Sequence, residues 1–147
     1  MTPWPDSDKL RPVQDYQPIN EWTIKNRYPL PLIPQLIDRL GDAELITTID
    51  ICLGYNTVQI IEKDQHKLAF ITNQGLFKPT VMFFGLTNSP ATFQTMMDTI
   101  FHDQIARGTL MVYMDDIAVH TKRKPNKSEE QHLERHRELV REMLTTL

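Results

Sequence analysis

The chain has 147 residues, 40% of them hydrophobic, which is one domain's length with enough apolar material for a real core. Its formal net charge of -3 excludes nucleic-acid binding through bulk charge alone and leaves only a local arrangement of cations for that purpose. No apolar run approaches membrane-spanning length, and the start MTPWPDSDK lacks the basic and apolar regions of a signal peptide, so an intracellular protein without membrane attachment is expected. The single Cys52 rules out an internal disulfide framework and a cysteine zinc site, and its apolar surroundings predict a small buried residue.

Residues 1–32 read as extended, rich in proline and polar side chains, with a strand from Leu10 to Tyr16 and a turn through Pro18, Ile19 and Asn20. Pro29 and Pro31 keep the backbone extended until Pro34, which suits the first turn of a helix. Ile33, Leu36, Ile37 and Leu40 then follow at helical spacing, and Gly41 is the stop. Glu44 to Ile51 is strand-like, with Asp50 near its end before the break at Gly54. An acid at a strand's end is exposed to a site. Val58 to Ile61 and Leu68 to Thr72 read as further strands, and Asn73, Gln74 and Gly75 turn the chain into Leu76 to Phe84, where Pro79 marks an edge or a bulge.

A long helix begins at Asn88, Ser89 and Pro90, where either polar residue can cap and proline fits the first turn. Phe93, Met96, Met97, Ile100, Phe101 and Ile105 form its buried stripe, and Gly108 ends it. LMVYMDDIAVH, Leu110 to His120, then reads as two short strands meeting at a tight turn made by Asp115 and Asp116. Lys122, Arg123, Lys124 and Lys127 follow as a basic loop, open to two readings, a solvated loop or a phosphate contact. Ser128 with Gln131 makes a capping box for a final helix with Leu133, His136, Val140, Met143 and Leu147 on one face. His132 and His136 stand four apart; helix surface or rim is the expectation, because no third ligand accompanies them for a metal.

Two readings compete for Asp115 and Asp116. Aspartate tolerates turns and bonds its own backbone. Adjacent carboxylates also repel one another unless a cation relieves them, and Mg²⁺ prefers one or two carboxylates with phosphate oxygens and water. A third acid beside the tip decides between them, and an antiparallel sheet with helices on one face can bring Asp50 there. Three carboxylates would then surround a pair of Mg²⁺ ions, the clamp that phosphoryl transfer needs.

LRPVQDYQPIN, KNRYPLPLIPQLIDRL, TTIDICLGYN, FFGLTNSPATFQ and VYMDDI occur in this order, and together they resemble the reverse transcriptases of gypsy-type LTR retrotransposons. The resemblance covers most of the chain, and Tyr113 to Asp116 meets the signature Tyr-X-Asp-Asp. It implies an α+β fold: a polymerase palm whose antiparallel sheet is backed by helices, at about residues 44–61 and 87–147, with part of a fingers subdomain at about 1–43 and 62–86. The implied reaction is template-directed addition of deoxynucleotides to a primer 3′-hydroxyl, with Mg²⁺, or Mn²⁺ in its place, as cofactor. Asp50, Asp115 and Asp116 match the metal-binding triad, and the main-chain carbonyl of Ile51 completes a metal shell. Tyr55 matches the aromatic gate that excludes a 2′-hydroxyl, Arg11 the fingers arginine that holds the triphosphate, and Phe84 and Gly85 the position beside nucleotide and template.

The implied partners are an RNA or DNA template, a DNA primer or RNA·DNA hybrid, and a deoxynucleotide triphosphate, with Lys122, Arg123 and Lys124 as candidate nucleic-acid contacts. The expected location is the cytoplasm or a retrotransposon particle. Two departures remove positive charge from the fingers: Gln17 follows Asp15 and Tyr16 where the family has arginine, and the region of Trp4 and Pro5 stands where a lysine is usual. Met82 and Phe83 precede Phe84 and Gly85 where a proline often does. The family's thumb, connection and ribonuclease H parts are expected outside this chain, so the alternative is a catalytically silent relic that keeps a nucleic-acid-binding or interaction fold.

Overall fold

The computed structural model describes residues 14–147, preceded by the backbone of two short strands, β1 (Thr2–Pro3) and β2 (Leu10–Arg11), which pair antiparallel. The elements that follow are α1 (Gln17–Trp22), α2 (Ile33–Leu40), β3 (Leu45–Asp50), α3 (Glu62–Gln65), β4 (Phe70–Thr72) and β5 (Gly75–Phe77). After these come α4 (Ser89–Ile100), α5 (His102–Ala106), β6 (Leu110–Tyr113), β7 (Asp116–Thr121) and α6 (Glu129–Thr146). The fold is α+β, as expected, and it divides into two units: Met1–Arg27 with Leu53–Pro90, and Tyr28–Cys52 with Ala91–Leu147.

In the first unit, the expected turn at Pro18 is the helix α1 instead. The Asp15 carboxylate accepts the Gln17 N–H at 3.0 Å, and Pro18 lies in the first turn, where a fixed φ and a missing N–H cost nothing. Two asparagines stitch this segment to the loop before α4. Asn20 donates its amide to the Gly85 carbonyl at 2.7 Å and accepts the Thr87 N–H at 2.9 Å. Asn88 accepts the Asn26 N–H and donates to the Ile24 carbonyl, both at 2.9 Å. The strand expected at Val58 to Ile61 shrinks to one bridge, Gln59 opposite Val81, because the chain turns into α3 at Glu62. The strand expected from Leu76 leaves its ladder after Phe77, just before Pro79, which has no N–H to continue the pairing.

The second unit is built on a three-stranded antiparallel sheet in the order β3-β7-β6. Its register puts Leu45, Thr47 and Ile49 opposite Thr121, Val119 and Ile117, and this row faces α6. Ile46, Thr48 and Asp50 lie opposite His120, Ala118 and Asp116 on the other face. Phe93, Met97, Phe101, Leu110, Ile117, Val119 and Met143 form the core. The expected single helix from Ser89 is interrupted at Phe101, whose φ of -101° and ψ of 18° are not helical, although the Phe101 N–H still reaches the Met97 carbonyl at 2.9 Å. Met96 is only half-buried and Ile100 is exposed, so the stripe is narrower than its spacing implied.

Helix α2 forms where expected, with Pro34 in its first turn, yet Ile33 and Ile37 remain 54% and 62% exposed. Cys52, expected inside, is exposed in the turn that leaves β3. His132 and His136 also differ from expectation, because both are 5% exposed rather than on a helix rim. Thr121 on the inner face of the sheet bonds both imidazoles, at 3.0 and 2.9 Å, and Thr47 bonds His136 at 2.8 Å. Buried polar rings need such partners. Among the described residues, no helix is long and apolar enough to cross a membrane.

Candidate active site

Strand β3 ends at Asp50, and Asp50 lies directly opposite Asp116, the first residue of β7. Cross-strand partners of this kind hold their Cβ atoms about 4.5 to 5.5 Å apart. One residue further on, the Ile51 N–H donates to the Asp115 carbonyl at 2.9 Å, which ties the end of β3 to the hairpin turn. Asp50 and Asp116 are exposed and Asp115 is half-buried. Three carboxylates therefore gather at one end of the sheet, on the side reached by solvent.

The turn differs from expectation in one respect. Its two central residues are Met114 and Asp115, since Tyr113 pairs with Asp116 across it. Asp116 consequently belongs to the strand and shares a row with Tyr113 and Asp50, while Asp115 sits at the tip. Met114 has a φ of +54°, a backbone state that costs a residue with a side chain about 1 to 2 kcal/mol. Gln94 of α4 holds it there. This glutamine is fully buried; its carbonyl oxygen accepts the Met114 N–H at 2.7 Å, and its amide donates to the Val112 carbonyl at 3.3 Å and the Asp98 carboxylate at 2.9 Å. Tyr28 donates its hydroxyl to the other Asp98 oxygen at 2.6 Å. That bond, with burial and the Asp98 charge behind it, raises the Tyr28 pKa. A relay of Tyr28, Asp98 and Gln94 thus fixes the turn that carries the acids. Sequence reasoning missed Gln94 because its signal, a lone amide on an otherwise apolar helix face, points to no particular partner.

Partial desolvation where the exposed Asp116 meets the turn, and after it the charges of Asp115 and Asp50, push its carboxyl above the ordinary value. Such repulsion is what a bound cation relieves. Among the described residues no group of three His, Cys, Asp or Glu side chains forms a ready metal cage. The donors present are hard oxygens only, and they fit Mg²⁺, which takes few protein carboxylates and completes its shell with water and phosphate oxygens. A groove of about 630 Å³ in the same unit is lined by Leu32, Leu36, Met111 and neighbours but by none of the three acids, so it is not this site.

The remaining sequence-derived residues fall elsewhere. Tyr55, Phe84 and Gly85 belong to the first unit, where the Tyr55 and Phe84 rings pack at 4.8 Å between centroids. Gly85 has a φ of +97° and lies under Tyr16 and the Gln14 carbonyl, so its glycine has a backbone cause as well. Arg11 is on β2, and its side chain lies outside the described residues, as do Trp4 and Pro5. In the basic loop, Lys122 pairs with Asp42 at 3.2 Å and Arg123 with Glu44 at 3.7 Å, whereas Lys124 lines a separate cavity.

An antiparallel sheet backed by helices, with acids gathered where a strand end meets a hairpin turn, is the architecture of a polymerase palm. Residues 3–147 match the family described as reverse transcriptase (RNA-dependent DNA polymerase), and the chain belongs to that family. The polyproteins of transposons Tf2-3 and Tf2-7 from Schizosaccharomyces pombe are each 34% identical to it over 134 residues, or 91% of the chain. The chain spans only 10% of their length. This bears out the resemblance to retrotransposon reverse transcriptases. Among solved structures, the foamy viral protease-reverse transcriptase in complex with double-stranded DNA superposes with a TM-score of 0.84 at 23% identity, over 99% of this chain and 24% of that one. The same protein in complex with an RNA/DNA hybrid gives 0.71 at 23% identity, over 90% and 17%.

Proposed function

We propose that the chain is the fingers and palm portion of an RNA-directed DNA polymerase that extends a primer 3′-hydroxyl with deoxynucleotides. The reading assigns residues 1–43 and 62–86 to the fingers and 44–61 and 87–147 to the palm. The observation that carries it is the pairing of Asp50 with Asp116, beside the bond from the Ile51 N–H to the Asp115 carbonyl. Asp50, Asp115, Asp116 and the Ile51 carbonyl would hold the divalent ions, Mg²⁺ or Mn²⁺. When bound, two such ions supply charge stabilisation for the attacking 3′-hydroxyl and for the departing pyrophosphate. The residues of the chain supply position. Gln94 fixes the turn, the β3-β7 ladder fixes the spacing of Asp50 and Asp116, and the repulsion among the acids favours cation capture.

In the same reading Tyr55, braced by Phe84, excludes a 2′-hydroxyl from the incoming nucleotide. Arg11 holds the triphosphate with a guanidinium fork, and Gly85 lies beside nucleotide and template. Of the basic run, the reading keeps Lys124 as a nucleic-acid contact, since Lys122 and Arg123 are engaged with Asp42 and Glu44. Template and primer are the partners, in keeping with the nucleic acids held by the foamy viral enzyme. Thumb, connection and ribonuclease H functions belong to the remainder of a longer polyprotein, acting in the cytoplasm or a retrotransposon particle.

A silent relic is the second reading, favoured by Gln17 in place of a fingers arginine. Primer extension on poly-rA with oligo-dT separates the two. Extension that requires Mg²⁺ or Mn²⁺ and disappears in Asp115→Asn supports the polymerase; no extension by either protein, or equal extension by both, rejects catalysis by this chain.

A further inference from the structure

The loop after β7 contains more cations than its ion pairs use. Lys122 and Arg123 point to Asp42 and Glu44, but Lys124 and Lys127 make no ion pair within 4 Å among the described residues. A turn brings these two lysines together, with the Lys127 N–H donating to the Lys124 carbonyl at 3.0 Å and Pro125 at its second position. Gln131 and Arg135, four apart, share a face of α6, and Arg135 also lacks an ion pair among the described residues. Lys124, Lys127, Gln131, His132, Arg135 and Glu138 line a cavity of about 250 Å³. Glu138 is its single carboxylate against Lys124, Lys127 and Arg135, so these four side chains together carry a charge of +2. In a chain of net charge -3, this is a local concentration of the opposite sign in a concave wall, which focuses the field on an anion.

We propose that this cavity binds a backbone phosphate of a nucleic-acid strand. Three cations converging from a turn and a helix can meet a tetrahedral phosphate on several of its oxygens at once. A planar carboxylate offers two oxygens, so an acidic peptide uses the arrangement less well. Arg135 contributes a fork matched to phosphate, the lysines point charges, and Gln131 a neutral donor. The site lies with α6, on the face of the β3-β7-β6 sheet opposite Asp50 and Asp116. A strand held there is distinct from a primer terminus at the acids. The inference extends the nucleic-acid contact that the polymerase reading gives Lys124 to a site formed with Lys127 and Arg135, and it does not rest on catalysis, because phosphate capture needs none of the acids.

The test is binding of a labelled 20-nucleotide DNA strand, in EDTA, by fluorescence anisotropy across a salt series. Replacing Lys124, Lys127 and Arg135 together by glutamine should weaken binding at least tenfold at low salt. It should also flatten the log-log salt slope by about 0.7, the contribution of one phosphate contact on a single strand. Lys124→Arg with Lys127→Arg should retain binding, and Lys122→Gln with Arg123→Gln should change it less than about twofold. Inorganic phosphate should compete only at concentrations far above those of the strand. An unchanged slope in the triple variant overturns the proposal. So does competition by poly-glutamate as strong as that by unlabelled DNA, or by inorganic phosphate as strong as that by the strand. Absence of primer extension by the unaltered chain, with strand binding intact, would sink the polymerase reading alone.

Discussion

Replacing Gln94 by methionine keeps the volume of a fully buried side chain while removing every hydrogen bond it makes. The Met114 N–H, held at 2.7 Å, loses its acceptor, and the Val112 carbonyl and Asp98 carboxylate lose a donor. Asp98 keeps its bond from Tyr28. The Met114 and Asp98 bonds are worth about 0.5 to 1.5 kcal/mol each net, the long Val112 bond adds little, and stranding the Met114 N–H adds about 1 kcal/mol, so a loss of about 2 to 4 kcal/mol is expected. For a chain of this length that lowers Tm by roughly 6 to 12 °C. The turn should relax as well, because Met114 at a φ of +54° is unfavourable by about 1 to 2 kcal/mol without its partner. Adding Met114→Gly in the same protein should therefore recover about 1 kcal/mol, or roughly 3 °C. Calorimetric or circular-dichroism melting of the three proteins is the assay, with metal-dependent extension measured well below the lowest Tm. A Tm for Gln94→Met within about 2 °C of the parent, or a further loss on adding Met114→Gly, would refute the idea that this amide holds the turn.

Gly85→Ala should destabilise by about 1 to 2 kcal/mol, through its φ of +97° rather than through crowding, since the added Cβ meets Gln14 and Tyr16 at an ordinary 3.5 Å. An unchanged urea midpoint would show that the loop adjusts freely. Stability should also depend on pH through His136, whose pKa is lowered by burial and by the neighbouring His132. A histidine with a lowered folded value binds fewer protons folded than unfolded. Its contribution is therefore complete above the unfolded value of about 6.5, and it is lost as pH falls from there through the lower folded value. Urea midpoints from pH 8 to 5 should fall below about pH 6.5, with a shallower fall in His136→Gln. Parallel profiles for the two proteins would remove His136 as a source.

The meeting of the Asp50 strand end with the Asp115-Asp116 hairpin was legible because these residues are constrained locally. Asp50 closes a strand run and Asp115-Asp116 interrupts another, so only the pairing of those strands remained to be inferred, and the register supplies it. What escaped the sequence is what depends on distant partners. Pro18 was read as a turn because the bond from the Gln17 N–H to Asp15 and the long-range bonds of Asn20 carry no periodic signal. The two histidines of α6 looked like rim residues until Thr47 and Thr121 supplied buried partners from the sheet. Lys122 and Arg123 read as free cations, but Asp42 and Glu44, about eighty positions away in sequence, engage them. Cys52 sits in an apolar stretch of sequence and still emerges on the surface, because the turn after β3 leaves the sheet at that point.

The proposal that Asp50, Asp115 and Asp116 share cations is tested most directly by titrating Mn²⁺ into the chain and following the loss of the free-ion signal by electron paramagnetic resonance. Asp50→Asn and Asp115→Asn should each weaken Mn²⁺ binding about tenfold or more, as expected for one charged contact of about 1.5 kcal/mol, while Glu62→Gln on α3 should leave it unchanged. Equal affinity in all four proteins would contradict a shared metal site at the end of the sheet.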